Sequence, residues 1–192
     1  MRIPISLLAA LSLSACLGGG RDLPPTLATL SSTAPEPTSD ARMAVRESTV
    51  TIALPTLPQA YDYDRIAVRV SDTSIAYVED LVMVDKPDAL FQQLLSETTH
   101  RLTGRVVVDP GQALLVPGTR VTGTLSRFDY DAQSGEVVVR YDAAIARGDG
   151  SSVESRRFEA RTPANGTAGS VSQSLNVAAN QVANDVATWI GN

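Results

Sequence analysis

A chain of 192 residues with a formal charge of −5, one cysteine and one histidine has few chemistries open to it. An acidic balance without a clustered basic footprint argues against a nucleic-acid surface. A single thiol excludes an intrachain disulfide and a cysteine-rich metal site, and a single imidazole excludes a histidine cluster.

The chain opens on a short basic start, Met1-Arg2, followed by an apolar run from Ile3 to Leu13 and the small residues Ser14-Ala15 before Cys16. A charged n-region, an apolar stretch of about 7–15 residues and small residues at the cleavage point make a secretory signal. A cysteine placed just after them resembles the bacterial lipobox, whose thiol takes a diacylglycerol and becomes the mature N-terminus. An ordinary signal peptide with a chance cysteine is the alternative. A membrane-spanning helix needs ~20 apolar residues, and Gly18-Gly19-Gly20-Arg21-Asp22 ends this run early. Residues 1–15 therefore read as a signal peptide, Cys16 as the lipidation site, 16–24 as a lipidated tether and 25–192 as one folded domain. The mature chain carries fifteen basic against twenty-one acidic residues, a formal charge of −6. Acyl chains hold such a protein on a membrane without a basic patch, since each buried CH₂ contributes ~0.8 kcal/mol.

Pro24-Pro25, Pro35 and Pro37 punctuate a Gly/Ser/Thr-rich stretch that reads as tether and loop. Within it, Thr26–Ser31 is β-compatible and suits a short edge strand, and 32–45 reads as a surface loop. From Ser48 the pattern turns to strands. Val50, Ile52 and Leu54 alternate with Thr49, Thr51 and Ala53, the period of a half-buried strand, and Ile66, Val68 and Val70 do the same. The run Ile75–Val84 is broken by Glu79-Asp80 and suggests two short strands. A helix follows, with Asp85 as its cap and Pro87 in its first turn. Leu90, Phe91, Leu94, Leu95, Thr98 and Leu102 share one face, with Gln92, Gln93, Ser96 and His100 opposite; Gly104 ends it.

Three long strands come next, about 119–130, 136–147 and 152–161, separated by Ala132-Gln133-Ser134-Gly135 and Gly148-Asp149-Gly150. Both breaks suit hairpins, so this block reads as an antiparallel meander. After a Pro/Gly/Asn loop, Ser170 and Gln173 have capping-box spacing at the start of a closing helix. Val171, Leu175, Ala178, Ala179, Val182, Val186, Trp189 and Ile190 occupy its apolar arc, a face suited to packing on a sheet.

Catalytic chemistry is sparse. His100 has no nucleophile or carboxylate arrangement around it that suggests a triad. The pairs Asp62/Asp64 and Asp129/Asp131 share strand faces, yet neither segment resembles a calcium loop, and solvated turn carboxylates are the simpler reading. No phosphate-cradling glycine loop is present, and Asn165-Gly166-Thr167 matches a glycosylation sequon only formally. The sequence thus offers no cofactor, no metal ligand set and no catalytic residue. The polar arc of the last helix carries Asn176, Asn180 and Asn184 one turn apart with few charges. Exposed faces usually carry charge for solubility, so this amide stripe is the candidate partner surface; a weakly charged solvent face is the alternative.

In order, the elements resemble the ABC-type transport auxiliary lipoprotein family. The residues that carry the likeness are the lipobox ending at Cys16, Ile52-Ala53-Leu54-Pro55 leading to Tyr63–Arg69, the helix Pro87–Leu102, Val121–Asp129, Arg157-Phe158-Glu159-Ala160 and the closing helix with Trp189-Ile190. Met83-Val84-Asp85 replaces the aromatic residue that the family often has before its first helix. The resemblance implies an α/β fold: a mixed, largely antiparallel sheet covered by helices, anticodon-binding-domain-like, with a long C-terminal helix. It further implies a binding protein rather than an enzyme, facing the periplasm from the outer membrane. Its implied partners are an MCE-domain protein and the ABC transporter components of a lipid-transport system. Assembly into homo-oligomers belongs to the same expectation. A general envelope scaffold or a solute-binding lipoprotein unrelated to lipid transport is the rival reading.

Overall fold

The computed structural model describes residues 24, 26–36, 49–108, 111, 118–147 and 152–191. Cys16, the predicted signal peptide and most of the predicted tether lie outside the described residues. In chain order the elements are β1 (Thr49–Ile52), a single 3-10 turn (Gln59–Tyr61), β2 (Arg65–Ser71), β3 (Ser74–Val82), α1 (Pro87–Thr103), β4 (Val106–Val108), β5 (Thr119–Asp131), β6 (Glu136–Arg147), β7 (Ser152–Pro163) and α2 (Ala168–Gly191).

β5 is the spine of a mixed sheet. One of its edges pairs antiparallel with β6, which pairs antiparallel with β7. The other edge is shared: β1 runs parallel to its beginning, Val50 opposite Thr119, and β2 runs parallel to its end, Ala67 opposite Asp129. β4 extends the sheet beyond β1 in parallel, and β3 extends it beyond β2 as an antiparallel hairpin. α1 and α2 pack against each other and cover one face. The α/β class, the mixed sheet and the long closing helix are as the sequence predicts.

The core lies between that face and the helices. Odd-numbered β6 residues Val137, Val139, Tyr141, Ala143 and Ile145 are buried there with Phe158 and Ala160 of β7. Every residue of the predicted apolar arc of α2 is buried, Trp189 at 6% exposure among them. Trp189 stacks on Phe158 at 5.4 Å between ring centroids. Phe91 of α1 lies 5.2 Å from the Tyr141 ring. That ring also explains Gly123, where a Cβ would sit 2.7 Å from it and 2.4 Å from the Asp142 carbonyl oxygen.

Local details differ from expectation for identifiable reasons. β1, which lies between β4 and β5, is buried along its whole length rather than on one face. β4, a three-valine strand, escaped the alternation rule by its shortness. The break at Glu79-Asp80 does not divide β3; Asp80 adopts φ 55° and the register against β2 slips there, so the chain absorbs the charges as an irregularity within one strand. Lys86, not Asp85, is the N-cap of α1; the Asp85 carboxylate instead accepts the Lys86 N–H at 2.7 Å. Leu102 is exposed rather than part of the buried face, and Gly104 closes the helix in the left-handed region at φ 69°. α2 begins two residues before Ser170, whose Oγ accepts the Asn165 N–H at 3.1 Å, so Ser170 is not the cap. The predicted edge strand at 26–31 is reduced to one parallel bridge, Ala28 beside Met83.

Candidate functional site

The amide stripe sits on α2, whose turns place Asn176, Asn180 and Asn184 above one another. The structure puts Asn180 at 3% exposure, not on a solvent face. Its Oδ1 accepts the Thr33 N–H at 2.8 Å and the Thr33 hydroxyl at 3.1 Å, while its Nδ2 donates to the Ser31 carbonyl at 2.8 Å. Asn176 Oδ1 accepts the Ser31 N–H at 2.9 Å. Asn184 buries its Oδ1 without a hydrogen-bond partner among the described residues. A primary amide offers an acceptor and two donors, matching the alternating C=O and N–H groups of an extended backbone. Asn176 and Asn180 are therefore contact residues for the chain's own Ser31 and Thr33, and Asn180 is not open to another protein while they are seated.

α1 holds the same segment from the other side. Ser32 and Thr98 share a hydroxyl hydrogen bond of 2.9 Å, and Arg101 donates to the Ala34 carbonyl at 2.7 Å. Arg101 is itself paired with Glu97 and lies 3.7 Å from Glu36. Upstream, the Ala28 N–H donates to Val82 and the Val84 N–H to Ala28, each at 2.9 Å. Residues 28–34 thus form a strap tied at the β3 edge and across the seam of the two helices.

A second polar constellation lies on the opposite face of the sheet, and a β-bulge creates it. Leu125 pairs with Tyr141, but Arg127 pairs with Arg140, so Ser126 is an extra residue. Before the bulge Val121 and Leu125 face the core; after it Phe128 does. One inserted residue exchanges the faces and turns Arg127, Asp129 and Asp131 away from the helices. There the buried Asp129 carboxylate accepts Arg127 Nε at 3.0 Å, Arg127 Nη2 at 2.5 Å and the Tyr61 hydroxyl at 2.6 Å. Arg127 reaches Asp131 at 3.1 Å, and Arg69 Nη2 donates to the Tyr61 oxygen at 3.3 Å.

The electrostatics follow from these contacts. Burial works against the Arg127 charge, but Asp129 and Asp131 outweigh it and hold the guanidinium protonated. Burial and then Asp129 push the Tyr61 hydroxyl up, keeping it a donor. Asp131 feels a burial penalty, yet Arg127 and the Gln133 and Ser134 N–H groups bring its carboxyl below the usual range. Farther across the face, Glu159 takes Arg140 and Arg161, and Asp142 takes Arg157 and the Ser126 hydroxyl. Three of the four aspartates noted in the sequence are thereby engaged: Asp129 and Asp131 by Arg127, and Asp62 by Lys86 at 2.8 Å. Among the described residues no group of acidic, His or Cys side chains is arranged to hold a metal ion. His100 Nδ1 lies 3.1 Å from the Arg105 carbonyl oxygen, a contact that ties the end of α1. A shallow groove of about 430 Å³ between β7 and α2, with Arg156, Arg157, Asp185 and Trp189 on its walls, is open and charged.

A family model described as the ABC-type transport auxiliary lipoprotein component matches residues 29–187, from the strap through most of α2. The chain belongs to this family. Auxiliary transport components are not an enzyme family, and the lipoprotein character places this member in the cell envelope. No curated protein matches. Among solved structures, a Xanthomonas campestris protein of the DUF330 family shares the fold at a TM-score of 0.64, with 15% identity over 87% of this chain and 92% of that one. The crystal structure of an uncharacterised protein is similar at 0.65, with 14% identity over 86% and 99%. The match begins at Thr29, within the strap, and the stretch around Cys16 lies before it.

Proposed function

We propose that this auxiliary lipoprotein is anchored through Cys16 in the outer membrane, faces the periplasm and works by binding. In this reading it docks an MCE-domain protein and supports an ABC system that moves lipids across the envelope. The observation that carries the reading is the family match over residues 29–187. The lipobox supplies the anchor, and the ion-paired sheet face offers a preorganised polar surface without a reacting group. The test is affinity purification of the full chain from crosslinked cells. Recovery of an MCE-domain protein with an ABC ATPase or permease is expected. Recovery of none, together with a hydrolytic activity that His100→Ala abolishes, would replace the reading with an enzyme.

A further inference from the structure

The edge of the sheet where the strap enters carries an apolar patch that the core does not use. Ile75 and Tyr77 of β3 pair with Arg69 and Ala67, which pair with Asp131 and Asp129; all face away from the helices. Ile75 is 42% exposed and Tyr77 36%. Tyr63, also exposed, stacks edge-on against Tyr77 at 5.9 Å, and the Arg65 guanidinium lies 5.8 Å over the Tyr77 ring. The bridge between Ala28 and Met83 adds Leu27 and Val84, 43% and 52% exposed, beside it. Contiguous exposed apolar side chains mark a contact surface. Tyrosines with an arginine among aliphatics suit the boundary of a bilayer, where one end of each side chain is apolar and the other wet.

The path of the chain indicates which surface meets this patch. Leu27 lies eleven residues after Cys16. Eleven residues reach at most about 36–40 Å when fully extended, and a coil of that length averages about 18 Å. The sheet runs from β3 at this edge to β7 four strands away, ~19 Å across the sheet at ~4.8 Å per strand. The strap's hydrogen bonds allow no further slack beyond Ala28. The β3 edge is thus the side of the domain held nearest the anchor.

We propose that Leu27, Tyr63, Ile75, Tyr77 and Val84 rest on the headgroup layer of the membrane that holds Cys16, orienting the domain with β7 outward. Glu79 and Asp80, exposed in the same strand, offset the Arg65 charge, so the surface fits a zwitterionic layer. The proposal rests on the reading of Cys16 as the lipidated residue.

The test uses the full acylated chain, whose only native thiol is taken up by the lipid. Tyr77→Cys and Ile75→Cys each carry an environment-sensitive fluorophore, and Ser155→Cys on β7 is the reference. Each protein is reconstituted in phosphatidylcholine–phosphatidylethanolamine vesicles with and without a headgroup-attached quencher. Quenching at positions 75 and 77 at least twofold stronger than at 155, insensitive to salt, is expected. Equal quenching at all three positions would overturn the proposal. So would a blue shift at 77 without lipid quenching, which would mean that protein covers the patch. The mass of the N-terminal peptide reads the anchor separately. An acylated Cys16 with no contrast between labels removes the patch and leaves the anchor; an unmodified Cys16 removes both.

Discussion

Two networks tie irregular chain onto this fold, and their chemistry is opposite. Over the helices, Asn176 and Asn180 grip the backbone of Ser31 and Thr33 with neutral amides. Across the sheet, Asp129 gathers Arg127 and Tyr61 through charge and so fixes the turn at Gln59–Tyr61 over β5. Neutral amides read main chain and tolerate changes in the side chains of the strap. A buried ion pair is less forgiving: its formation adds little net stability against desolvation, but loss of one partner strands the other. The first network fixes where the N-terminal segment lies, and the second fixes the bulged register of β5.

The largest effect should come from breaking the charged network. Asp129→Ala leaves Arg127, whose side chain is 11% exposed, without its main counter-charge, and should cost about 3–5 kcal/mol. Chemical denaturation measures it, and an unchanged midpoint would show that Asp131 alone suffices. Asn180→Ala should cost less, about 1–3 kcal/mol, the range for leaving partly buried backbone groups unpaired. Its signature is local: amide exchange at Thr33, whose N–H the Asn180 Oδ1 accepts, should accelerate while β6 stays protected. Global loss of protection would instead make the strap part of the cooperative core.

Acid separates the networks without mutation. Asp131, Asp142 and Glu159 are held below their usual ranges because guanidinium and N–H partners outweigh the penalty of burial. The stability they contribute is present above the ordinary carboxylate pKa of about 4 and is lost as pH falls through the lowered folded values. Stability should therefore decline below pH ~4, while the amide contacts at Ser31 and Thr33, which carry no titrating group, keep their protection relative to the rest of the chain. Circular dichroism and hydrogen exchange across that range check both halves. The smallest effect belongs to Arg157→Ala on the exposed rim of the sheet face. Its ion pair with Asp142 is solvent-screened, so the midpoint should move only slightly.

How much of this was readable beforehand depends on the range of the interactions. β6 is bounded at Glu136 and Arg147, as its alternation indicates, because one face of a meander strand is buried and the period is uninterrupted. The apolar arc of α2 was equally plain. The partners of the amide stripe were not: its contacts join residues 145–149 positions apart, and nothing in a Ser/Thr-rich loop says which helix its carbonyl groups will meet. The lack of charge along the stripe points to a contact, but for Asn176 and Asn180 the contact shown is with the chain's own strap. The Asp129 cluster was visible as a pair of aspartates and misleading as such, since the bulge at Ser126 that turns them toward Arg127 and Tyr61 has no sequence signature of its own. Tyr61, in a short turn after Pro58, gave no hint that it would cap a carboxylate 68 residues later.

The claim on which the account turns is that this domain is an anchored binding component, and the anchor is its most exposed point. Intact-mass and peptide mass spectrometry of the protein from the membrane fraction addresses it directly. The account predicts a mature chain beginning at Cys16 with the mass of a diacylglycerol and its acyl chains, and loss of membrane association in Cys16→Ala. A soluble protein with an unmodified Cys16 thiol would contradict it.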